Sequence, residues 1–340
     1  MPTVLFASKH TPPWYRQFPD GEPVWGDWRF VFSDTGETYD YLVIFEDISA
    51  PIARRCRPEN TLHVAAEPVS VKPYARSYTD QFGMCVSVDP EIQHPHAIIS
   101  QLAINWFLGW NPKTGSGPGA MSFRNLEALF DQPRDKLISV IASNKVQTAG
   151  HHRRLNFAMD LKSHFGDRMD FYGRGFVPMQ DKLDALARYR FHVVLENSAY
   201  PHYFTEKFTD TVIAGCYPFY AGCPNLDDYF PENAFSRIDP ANVAASIQII
   251  ERAIAEDYDQ SRRAALREAQ RRAMYEHNMF PMLVRILSAH ASGEYGQTLP
   301  PAGQNAGDIM PCPKVRTDSM QKRALKFARK VMTQARMRRL

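Results

Sequence analysis

The chain has 340 residues, a formal net charge of +3 and 44% hydrophobic residues, which is ordinary for a soluble globular protein. Its length exceeds what one hydrophobic core usually supports, so we expect two domains. No apolar run approaches the roughly 20 residues that span a bilayer, and the five cysteines are scattered, without metal-ligand spacing or a disulfide pattern. The composition argues against a membrane-spanning helix and a disulfide framework, and a reducing cytoplasm fits it best.

Short apolar runs separated by polar or helical stretches fill the first part of the chain, a rhythm typical of an open α/β sheet. The N-terminus lacks the basic start and the cleavage site of a signal peptide, and its apolar residues predict a first strand. A stretch rich in Asn, Pro, Gly and Ser from Trp110 to Gly119 predicts a loop or linker. The predicted strands of this part are Val4 to Ala7, Phe30 to Phe32, Tyr41 to Phe45, Leu62 to Ala65 and Cys85 to Val88.

The same rhythm continues beyond residues 131–133, where we place the domain boundary. Asp239 followed by Pro240 predicts the N-cap and the first turn of a helix with one apolar face. The sequence thus predicts an α/β fold with domains at 1–132 and 133–295 and a separate segment at 296–340. The predicted strands of the second domain are Leu137 to Ala142, Met169 to Tyr172, Phe191 to Leu195 and Tyr217 to Tyr220, and helices are predicted at Arg153 to His164 and Thr205 to Ala214.

The stretch from Tyr189 to Pro240 is the most informative part of the chain. Its apolar run Val193 to Leu195 predicts a strand that is covered on both faces of a parallel sheet. Glu196 and Asn197 follow at the C-terminal end of this strand, where open α/β sheets place their ligand sites. We therefore expect a binding site at this edge.

A helix start follows this strand and predicts an anion site. Thr205 is suited to the N-cap position, and Lys207 adds a full positive charge to the positive end of the helix dipole. Backbone donors also collect at such a helix start, so the combination suits a diphosphate. The alternative interpretation is a capped surface helix on which Glu206 and Lys207 form a solvated pair.

These residues resemble the α-1,3/1,4-fucosyltransferases of glycosyltransferase family 10, bacterial members included. The family carries a Phe-Glu-Asn-Ser run, a Tyr-x-Thr-Glu-Lys and a Gly-x-x-Pro-x-Tyr-x-Gly-x-Pro-Asn in this order. The matching pieces here are Leu195 to Ser198, Tyr203 to Lys207 and Gly215 to Asn225. The resemblance implies a GT-B fold, in which two Rossmann-like domains face each other across a cleft. The domain at 1–132 would then bind the acceptor, and the domain at 133–295 would bind the nucleotide-sugar donor.

Glu67 is implied to be the general base of the acceptor domain. It directly follows a short apolar strand, at a place where family members carry a Glu followed by Ser-Pro or a similar dipeptide, whereas this chain has Glu-Pro. A carboxylate against an apolar strand end has its proton affinity raised, which suits a base. The alternative is an ordinary strand-end Glu exposed to water.

Two cations are implied to bind the diphosphate of the donor: Lys207 and an arginine that opens the first helix of the donor domain. Arg154 matches the family best, and Arg153 is the second candidate. The planar guanidinium of an arginine can bind two phosphate oxygens at once. The alternative interpretation is a solvated arginine at a helix end. Glu206 is implied to contact the donor sugar or ribose and to steady the developing positive charge, so we group it with Glu67 as catalytic. The other donor-binding residues implied by the resemblance are Arg174, Glu196, Asn197 and Tyr203.

The sequence offers no pattern for a metal beside the diphosphate. No Asp-x-Asp stands at a strand end, and the histidines lack a ligand spacing. We therefore expect a metal-independent reaction in which cationic side chains and a helix terminus stabilise the leaving group. No cofactor is expected, because GDP-fucose would be the donor substrate.

The function implied is an inverting transfer of L-fucose from GDP-β-L-fucose to a hydroxyl of a glycan, such as a lipopolysaccharide, in α-1,3 or α-1,4 linkage. Two alternatives stay open. One is a GT-B transferase that uses another nucleotide sugar, and the other is a non-catalytic nucleotide- or glycan-binding relative.

The segment from Lys314 to Leu340 is strongly basic, with ten Lys and Arg residues and a single acid, Asp318. It follows a Pro- and Gly-rich linker and predicts a basic amphipathic helix that contacts an anionic inner membrane surface, as the resemblance also implies. A disordered solvated tail and a nucleic-acid contact are the alternatives. Because the net charge of the whole chain is only +3, the remainder is mildly acidic, and we expect no nucleic-acid partner.

Overall fold

A computed structural model of the chain describes residues 1–68, 71–102, 105–110, 120–142, 149–300 and 307–313. The described chain divides into two compact units. The first comprises Met1–Asn105, Tyr200–Tyr203 and the described residues from Tyr275 onward, and the second comprises Trp106–Ala199 and Phe204–Met274. The predicted amphipathic helix at 314–340 lies outside the described residues.

Both units alternate strands and helices along the chain. The strands are β1 (Thr3–Ala7), β2 (Val24–Trp25), β3 (Trp28–Val31), β4 (Tyr41–Phe45), β5 (Thr61–Val64), β6 (Met84–Ser87), β7 (Ala97–Ile99), β8 (Lys136–Ile141), β9 (Met169–Tyr172), β10 (Tyr189–Leu195), β11 (Tyr217–Ala221) and β12 (Ser236–Arg237). The helices are α1 (Arg76–Thr79), α2 (Phe123–Glu127), α3 (Ala149–Phe165), α4 (Leu183–Leu186), α5 (Glu206–Ile213), α6 (Val243–Ala255), α7 (Tyr258–Ser261), α8 (Arg263–Tyr275) and α9 (Met279–Ala291).

The first unit is built on a sheet with the strand order β2-β3-β1-β4-β5-β6-β7, which is parallel except for the β2–β3 pair. Its central strands are mostly apolar because both faces are covered, with His63 of β5 as a buried exception. In β1, for example, Val4 and Phe6 pack in the core on one face and Leu5 packs in the core on the other. The predicted strands of this part are confirmed, with boundaries that differ by one or two residues.

Helix α9 belongs to the first unit, although it follows the residues of the second unit in sequence. Its Phe280 stacks on Phe18 with ring centroids 4.2 Å apart and meets Phe30 edge-on at 4.9 Å. This apolar face completes the core beside β1 and β3. The division into units therefore differs from the predicted ranges 1–132 and 133–295, because packing brings back a helix that sequence order assigns to the second domain.

The second unit has a fully parallel sheet in the order β12-β11-β10-β8-β9. Strand β10 lies at its centre, with Val193 in register with Val140 of β8 and Phe219 of β11. The prediction of a strand covered on both faces is confirmed, since Phe191 to Leu195 are buried. Two units with parallel sheets flanked by helices make up the predicted α/β fold with Rossmann-like domains.

The predicted start of α6 is wrong by one helical turn. The helix begins at Val243, and its N-cap is Asn242, whose side-chain oxygen accepts a hydrogen bond from the Ala245 amide at 3.1 Å. Asp239 instead accepts from the Ala241 amide at 2.8 Å in a local turn. Short polar side chains of this kind satisfy backbone donors in turns as readily as at caps, so an Asp-Pro pair does not fix the helix start.

Within the described ranges, no helix combines the length and the apolar composition that crossing a membrane requires.

Candidate functional site

The second unit has a cavity of about 220 Å³ at the C-terminal edge of its sheet. Its walls come from the first turns of α3, the loop after β10, the end of β11 and the loop before α6. This is the edge at which open parallel sheets bind ligands, because the chain leaves the strands there and helix N-termini point toward it. The predicted residues Arg153, Arg154, Glu196 and Asn197 all line this cavity.

Arg154 reaches across the C-terminal end of β10. Its guanidinium donates hydrogen bonds to the side-chain oxygen of Asn197 and, at 3.5 Å, to the carbonyl of Leu195. It is half-buried, whereas Arg153 is exposed on the same helix. Of the two candidates, Arg154 is thus the one that neighbouring groups hold in place at the cavity wall.

Glu196 joins the end of β10 to the start of α5. Its buried carboxylate accepts hydrogen bonds from the Thr205 amide at 2.8 Å and from the Thr205 hydroxyl at 2.8 and 2.9 Å. The Thr205 hydroxyl in turn accepts from the Lys207 amide at 3.3 Å, so the predicted N-cap is confirmed. The Lys207 ammonium lies 3.3 Å from the Glu196 carboxylate and donates to the Thr205 hydroxyl at 3.0 Å.

Gly222 leaves room for the Glu196 side chain. A Cβ added at this glycine would lie 2.5 Å from Cγ of Glu196 and 2.6 Å from the hydroxyl of Tyr220. Any larger residue would displace the carboxylate that anchors the start of α5. Gly222 is the second glycine of the matching piece Gly215 to Asn225. Its close approach to Glu196 explains why this position requires a glycine.

A network of opposite charges continues from Lys207 into the interior of the second unit. Glu206 lies 3.5 Å from the Lys207 ammonium and 3.3 Å from that of Lys182, which also contacts the buried Asp210 at 2.7 Å. Neither Lys182 nor Asp210 was predicted from the sequence. Asp210 carried a signal, because it lies four residues after Glu206 on the same helix, and such positions share a face. Lys182 lies before the short α4 in a stretch without any recognisable pattern.

Burial and charge oppose each other at these carboxyl groups. Burial raises the pKa of Glu206, but the ammonium groups of Lys207 and Lys182 outweigh it and lower this pKa to about 2. At Asp210, burial dominates and raises the pKa in spite of Lys182. Burial lowers the pKa of Lys182, yet Asp210 and Glu206 raise it overall. Glu206 is therefore a carboxylate and Lys182 an ammonium at neutral pH.

Glu67 lies in the first unit, three residues after the end of β5. One of its carboxylate oxygens accepts a hydrogen bond from the hydroxyl of Tyr203 at 2.9 Å. Glu67 lines a second cavity, of about 250 Å³, together with Asp89 and Arg76. Tyr203 itself is fully buried against Val88.

Tyr203 was predicted among the donor-binding residues, but its observed partners are elsewhere. Residues 200–203 belong to the first unit, where the Tyr203 ring fills a small apolar cluster and its hydroxyl meets Glu67. The chain returns to the second unit at Phe204, directly before the cap of α5. Tyr203 thus contacts the proposed base, and its predicted role toward the donor stays a prediction.

Arg174 is exposed and does not line either of the two cavities. Its neighbour Gly173 has a φ of +123°, and a Cβ there would come within 2.0 Å of the Ala142 carbonyl oxygen. The glycine is required by the turn after β9, which gives the Gly-Arg-Gly sequence a structural reason. The role of Arg174 in binding stays a prediction.

In the part of the chain that the structure describes, no three His, Cys, Asp or Glu residues are grouped so that they could hold a metal ion. An Asp-x-Asp does occur at α7, where Asp257 and Asp259 pair with Arg190 at 2.5 and 2.6 Å. Arg190 is at the start of β10, the end of the strand opposite to the cavity.

Fold and site together define an α/β protein with Rossmann-like units and a charged site at the C-terminal edge of a parallel sheet. Residues 131–258 match the C-terminal domain of glycosyltransferase family 10 (fucosyltransferase). The chain thus carries a domain of this family at residues 131–258. The matched span contains Arg154, Glu196 and Lys207, whereas Glu67 precedes it.

Two relatives illustrate the similarity. The chain is 29% identical over 108 residues to the 4-galactosyl-N-acetylglucosaminide 3-alpha-L-fucosyltransferase of Homo sapiens. This alignment covers 29% of this chain and 30% of the relative. It is 44% identical over 48 residues to the alpha-(1,3)-fucosyltransferase B of Drosophila melanogaster, covering 14% of this chain and 11% of the relative. The chain thus matches less than a third of the length of each of these relatives.

A similarity to a solved structure extends further along the chain. The crystal structure of an alpha1,3-fucosyltransferase with GDP aligns with this chain at 15% identity and a TM-score of 0.46. The alignment covers 86% of this chain and 90% of the fucosyltransferase chain.

Proposed function

We propose that the protein is an inverting fucosyltransferase that moves L-fucose from GDP-β-L-fucose to a hydroxyl of a glycan acceptor, in α-1,3 or α-1,4 linkage. The observation that carries the proposal is the Glu196–Thr205–Lys207 network beside Arg154. It joins two of the three sequence pieces that resemble the family at one sheet edge. The family match of residues 131–258 supports the choice of fucose and GDP.

The leaving diphosphate is the group that this site is suited to stabilise. Arg154 lines the cavity at the first turns of α3, and Lys207 lies at the start of α5 with its ammonium on Glu196, a residue of the cavity wall. An arginine fork and a lysine point charge, added to a helix N-terminus, stabilise the negative charge that develops when the bond to the sugar breaks. The reaction we propose therefore needs no metal ion.

Glu67 is the proposed general base. The acceptor hydroxyl attacks the anomeric carbon, its proton passes to Glu67, and the bond between that carbon and the diphosphate oxygen breaks, so that GDP leaves and the β-linked donor gives an α-fucoside. The Tyr203 hydroxyl at 2.9 Å fixes the orientation of the carboxylate. A general base of this kind contributes about 10² to 10⁴ in rate.

The test separates chemistry from donor binding. Glu67→Gln keeps the shape of the side chain but cannot accept the proton, so we expect transfer to fall by at least about 100-fold. GDP affinity measured by calorimetry should stay at the wild-type value, because the proposed donor site is in the other unit. A Glu67→Gln protein that transfers fucose at the wild-type rate rules out the base assignment.

The donor identity requires its own experiment. Release of the nucleoside diphosphate from GDP-fucose, compared with a panel of other nucleotide sugars, distinguishes the proposed enzyme from a GT-B transferase with another donor. A protein that binds GDP but releases none from any donor would be a non-catalytic binder. Either of these results contradicts the proposed function.

We also propose a cytoplasmic enzyme that contacts an anionic membrane surface through residues 314–340, on which an acceptor such as a lipopolysaccharide precursor would be presented. Ten basic residues against one acid support this, since each contributes about 1 kcal/mol near such a surface. Sedimentation with vesicles of anionic and of neutral lipid tests it. Equal partitioning to both kinds of vesicle contradicts it.

A further inference from the structure

Lys182 is a buried cation that the proposed reaction does not yet use. Its ammonium contacts Asp210 at 2.7 Å and Glu206 at 3.3 Å, and it lies 5.5 Å from the centre of the Phe107 ring. The Asp210 side chain is completely buried, and 16% of the Lys182 side chain is exposed. A buried ion pair of this kind needs a reason, because removing two charges from water is costly.

The reason lies in the charge balance around Lys207. Two carboxylates approach its ammonium, Glu196 at 3.3 Å and Glu206 at 3.5 Å. One positive charge faces two negative charges, so Lys207 by itself is a poor ligand for a further anion. Lys182 supplies a second positive charge to Glu206.

The position of Lys182 is fixed by its backbone surroundings. The preceding Asp181 accepts hydrogen bonds from the Leu183 amide at 2.8 Å and from the Gly109 amide at 2.9 Å. Asp210 likewise accepts from the Phe107 amide at 3.2 Å. These hydrogen bonds hold the backbone beside Lys182 and the Asp210 carboxylate in place, and the Lys182 ammonium lies 2.7 Å from that carboxylate.

We propose that Lys182 is a positioning residue for donor binding: it retains Glu206 and Asp210 as its own partners and so releases Lys207 to contact the diphosphate. The inference rests on the proposed function, because it takes the anion to be the donor diphosphate. Without Lys182, a diphosphate that draws Lys207 away would leave Glu206 buried without a compensating charge. The low pKa of Glu206, to which both lysines contribute against burial, agrees with this sharing.

The experiment is a calorimetric titration of the full chain with GDP. We expect Lys182→Met to weaken GDP binding by about tenfold, because residues that share one charge network are energetically coupled. Lys182→Arg keeps the charge and should restore most of the affinity. Lys136→Met is the matched control, since Lys136 pairs with Asp170 at 2.8 Å at the start of β8, away from the cavity, and should leave GDP binding unchanged.

Two further variants keep the test decisive. If Lys182→Met fails to fold because Asp210 is left without its partner, the double variant Lys182→Met/Asp210→Asn removes that cost and should still bind GDP weakly. In a Glu206→Gln background, Lys182→Met should cost clearly less GDP affinity than in the wild type, because the carboxylate that competes for Lys207 is gone. A purely structural role for Lys182 would give the same loss in both backgrounds.

The outcomes separate the inference from the function on which it rests. If wild-type protein binds GDP and the folded Lys182→Met variant or its double variant binds GDP equally well, the role of Lys182 is overturned and the proposed function stands. Equal losses in the wild-type and Glu206→Gln backgrounds also overturn it. If the wild type itself does not bind GDP, the proposed function fails and the inference fails with it.

Discussion

At the scale of single residues, the site depends on how closely atoms can approach Glu196. Gly222 is in contact with this carboxylate's side chain, and Thr205 supplies two hydrogen-bond donors to it. The carboxylate is buried, so the hydrogen bonds from Thr205 offset part of a desolvation cost that would otherwise be several kcal/mol. Small changes at this point should therefore alter both stability and donor affinity.

Gly222→Ala tests this close approach. The added methyl would overlap Glu196, and we expect a loss of about 1 to 3 kcal/mol in the free energy of unfolding and roughly tenfold weaker GDP binding. Gly166→Ala is the control: its φ of +55° makes alanine unfavourable by about 1 kcal/mol, but no heavy atom lies within 4 Å of the new Cβ. The control should lose stability and keep its GDP affinity. Unchanged affinity in Gly222→Ala would contradict the geometry described for Glu196.

Two carboxyl groups inside the two units, Glu46 and Glu206, contribute to the pH dependence of stability. Burial raises the pKa of Glu46 in the first unit, but hydrogen bonds from His10 and Lys72 outweigh burial and lower this pKa to about 2. The pKa of Glu206 is also lowered to about 2. Both values are below the ordinary 4.5. A depressed folded-state pKa stabilises the protein above the unfolded-state pKa, and this contribution is lost as the pH falls from about 4.5 toward 2.

Urea unfolding measured between about pH 7 and about pH 3 should therefore show stability decreasing steeply below about pH 4.5. Glu46→Gln removes one of the two groups, so its curve should be flatter over the same range. A variant whose stability falls as steeply as that of the wild type would show that Glu46 is not one of the groups responsible.

At the scale of elements, the start of α5 links strand, helix and ligand site. The Thr205 hydroxyl caps the helix and at the same time binds Glu196 at the end of β10. One hydroxyl therefore fixes the spacing between the cavity wall and the helix N-terminus. The Thr-Glu-Lys sequence therefore marks both a helix start and a contact with the end of the neighbouring strand, whereas an ordinary cap marks a helix start alone.

Thr205→Ala should cost about 1 kcal/mol of stability for the lost cap and should also weaken GDP binding, because Glu196 loses the hydroxyl donor of Thr205 and keeps the backbone amide of that residue. Thr205→Ser keeps the hydroxyl and should behave nearly like the wild type in both measurements. Thermal unfolding and calorimetry on the two variants provide the comparison. If the alanine variant loses stability but binds GDP normally, Thr205 is a cap and nothing more.

At the scale of the whole molecule, residues 307–313 return to the first unit. Ile309 is 1% exposed, forms a β-bridge with Ile52, and packs with Leu42 and Tyr78. The Met310 and Cys312 amides donate to Gln81 and Asp47 at 2.7 and 2.9 Å. Residues 307–313 are therefore anchored to the first unit by both backbone pairing and apolar packing.

Ile309→Ala should reduce the free energy of unfolding by about 2 to 4 kcal/mol, the usual cost of truncating a buried isoleucine. Met310→Ala next to it is the control, since Met310 is 52% exposed and should lose little. GDP affinity should stay unchanged in both, because the proposed donor site lies in the second unit. Equal stability of the two variants in urea would show that the contact at Ile309 contributes nothing to the fold.

The sequence by itself determined the local features of this protein. Apolar runs located the central strands, since a parallel strand covered on both faces is mostly apolar. The Thr205 cap and the residues at the end of β10 could also be predicted, because capping and the ligand edge of a parallel sheet depend on residues close together in the chain. Glu196 and Asn197 were expected at this edge on the same grounds, whereas Arg154 was selected by its resemblance to the family, and all three line the cavity.

Only the tertiary structure decided which distant residues meet. The packing of α9 on the first sheet, the contact of Tyr203 with Glu67 and the position of Lys182 against Glu206 join parts of the chain that no local pattern connects. Such contacts are set by complementary apolar surfaces and by the need to pair buried charges, which arise only when the chain is folded. The boundary of α6 was missed for a related reason, because turn and cap compete for the same short polar side chains.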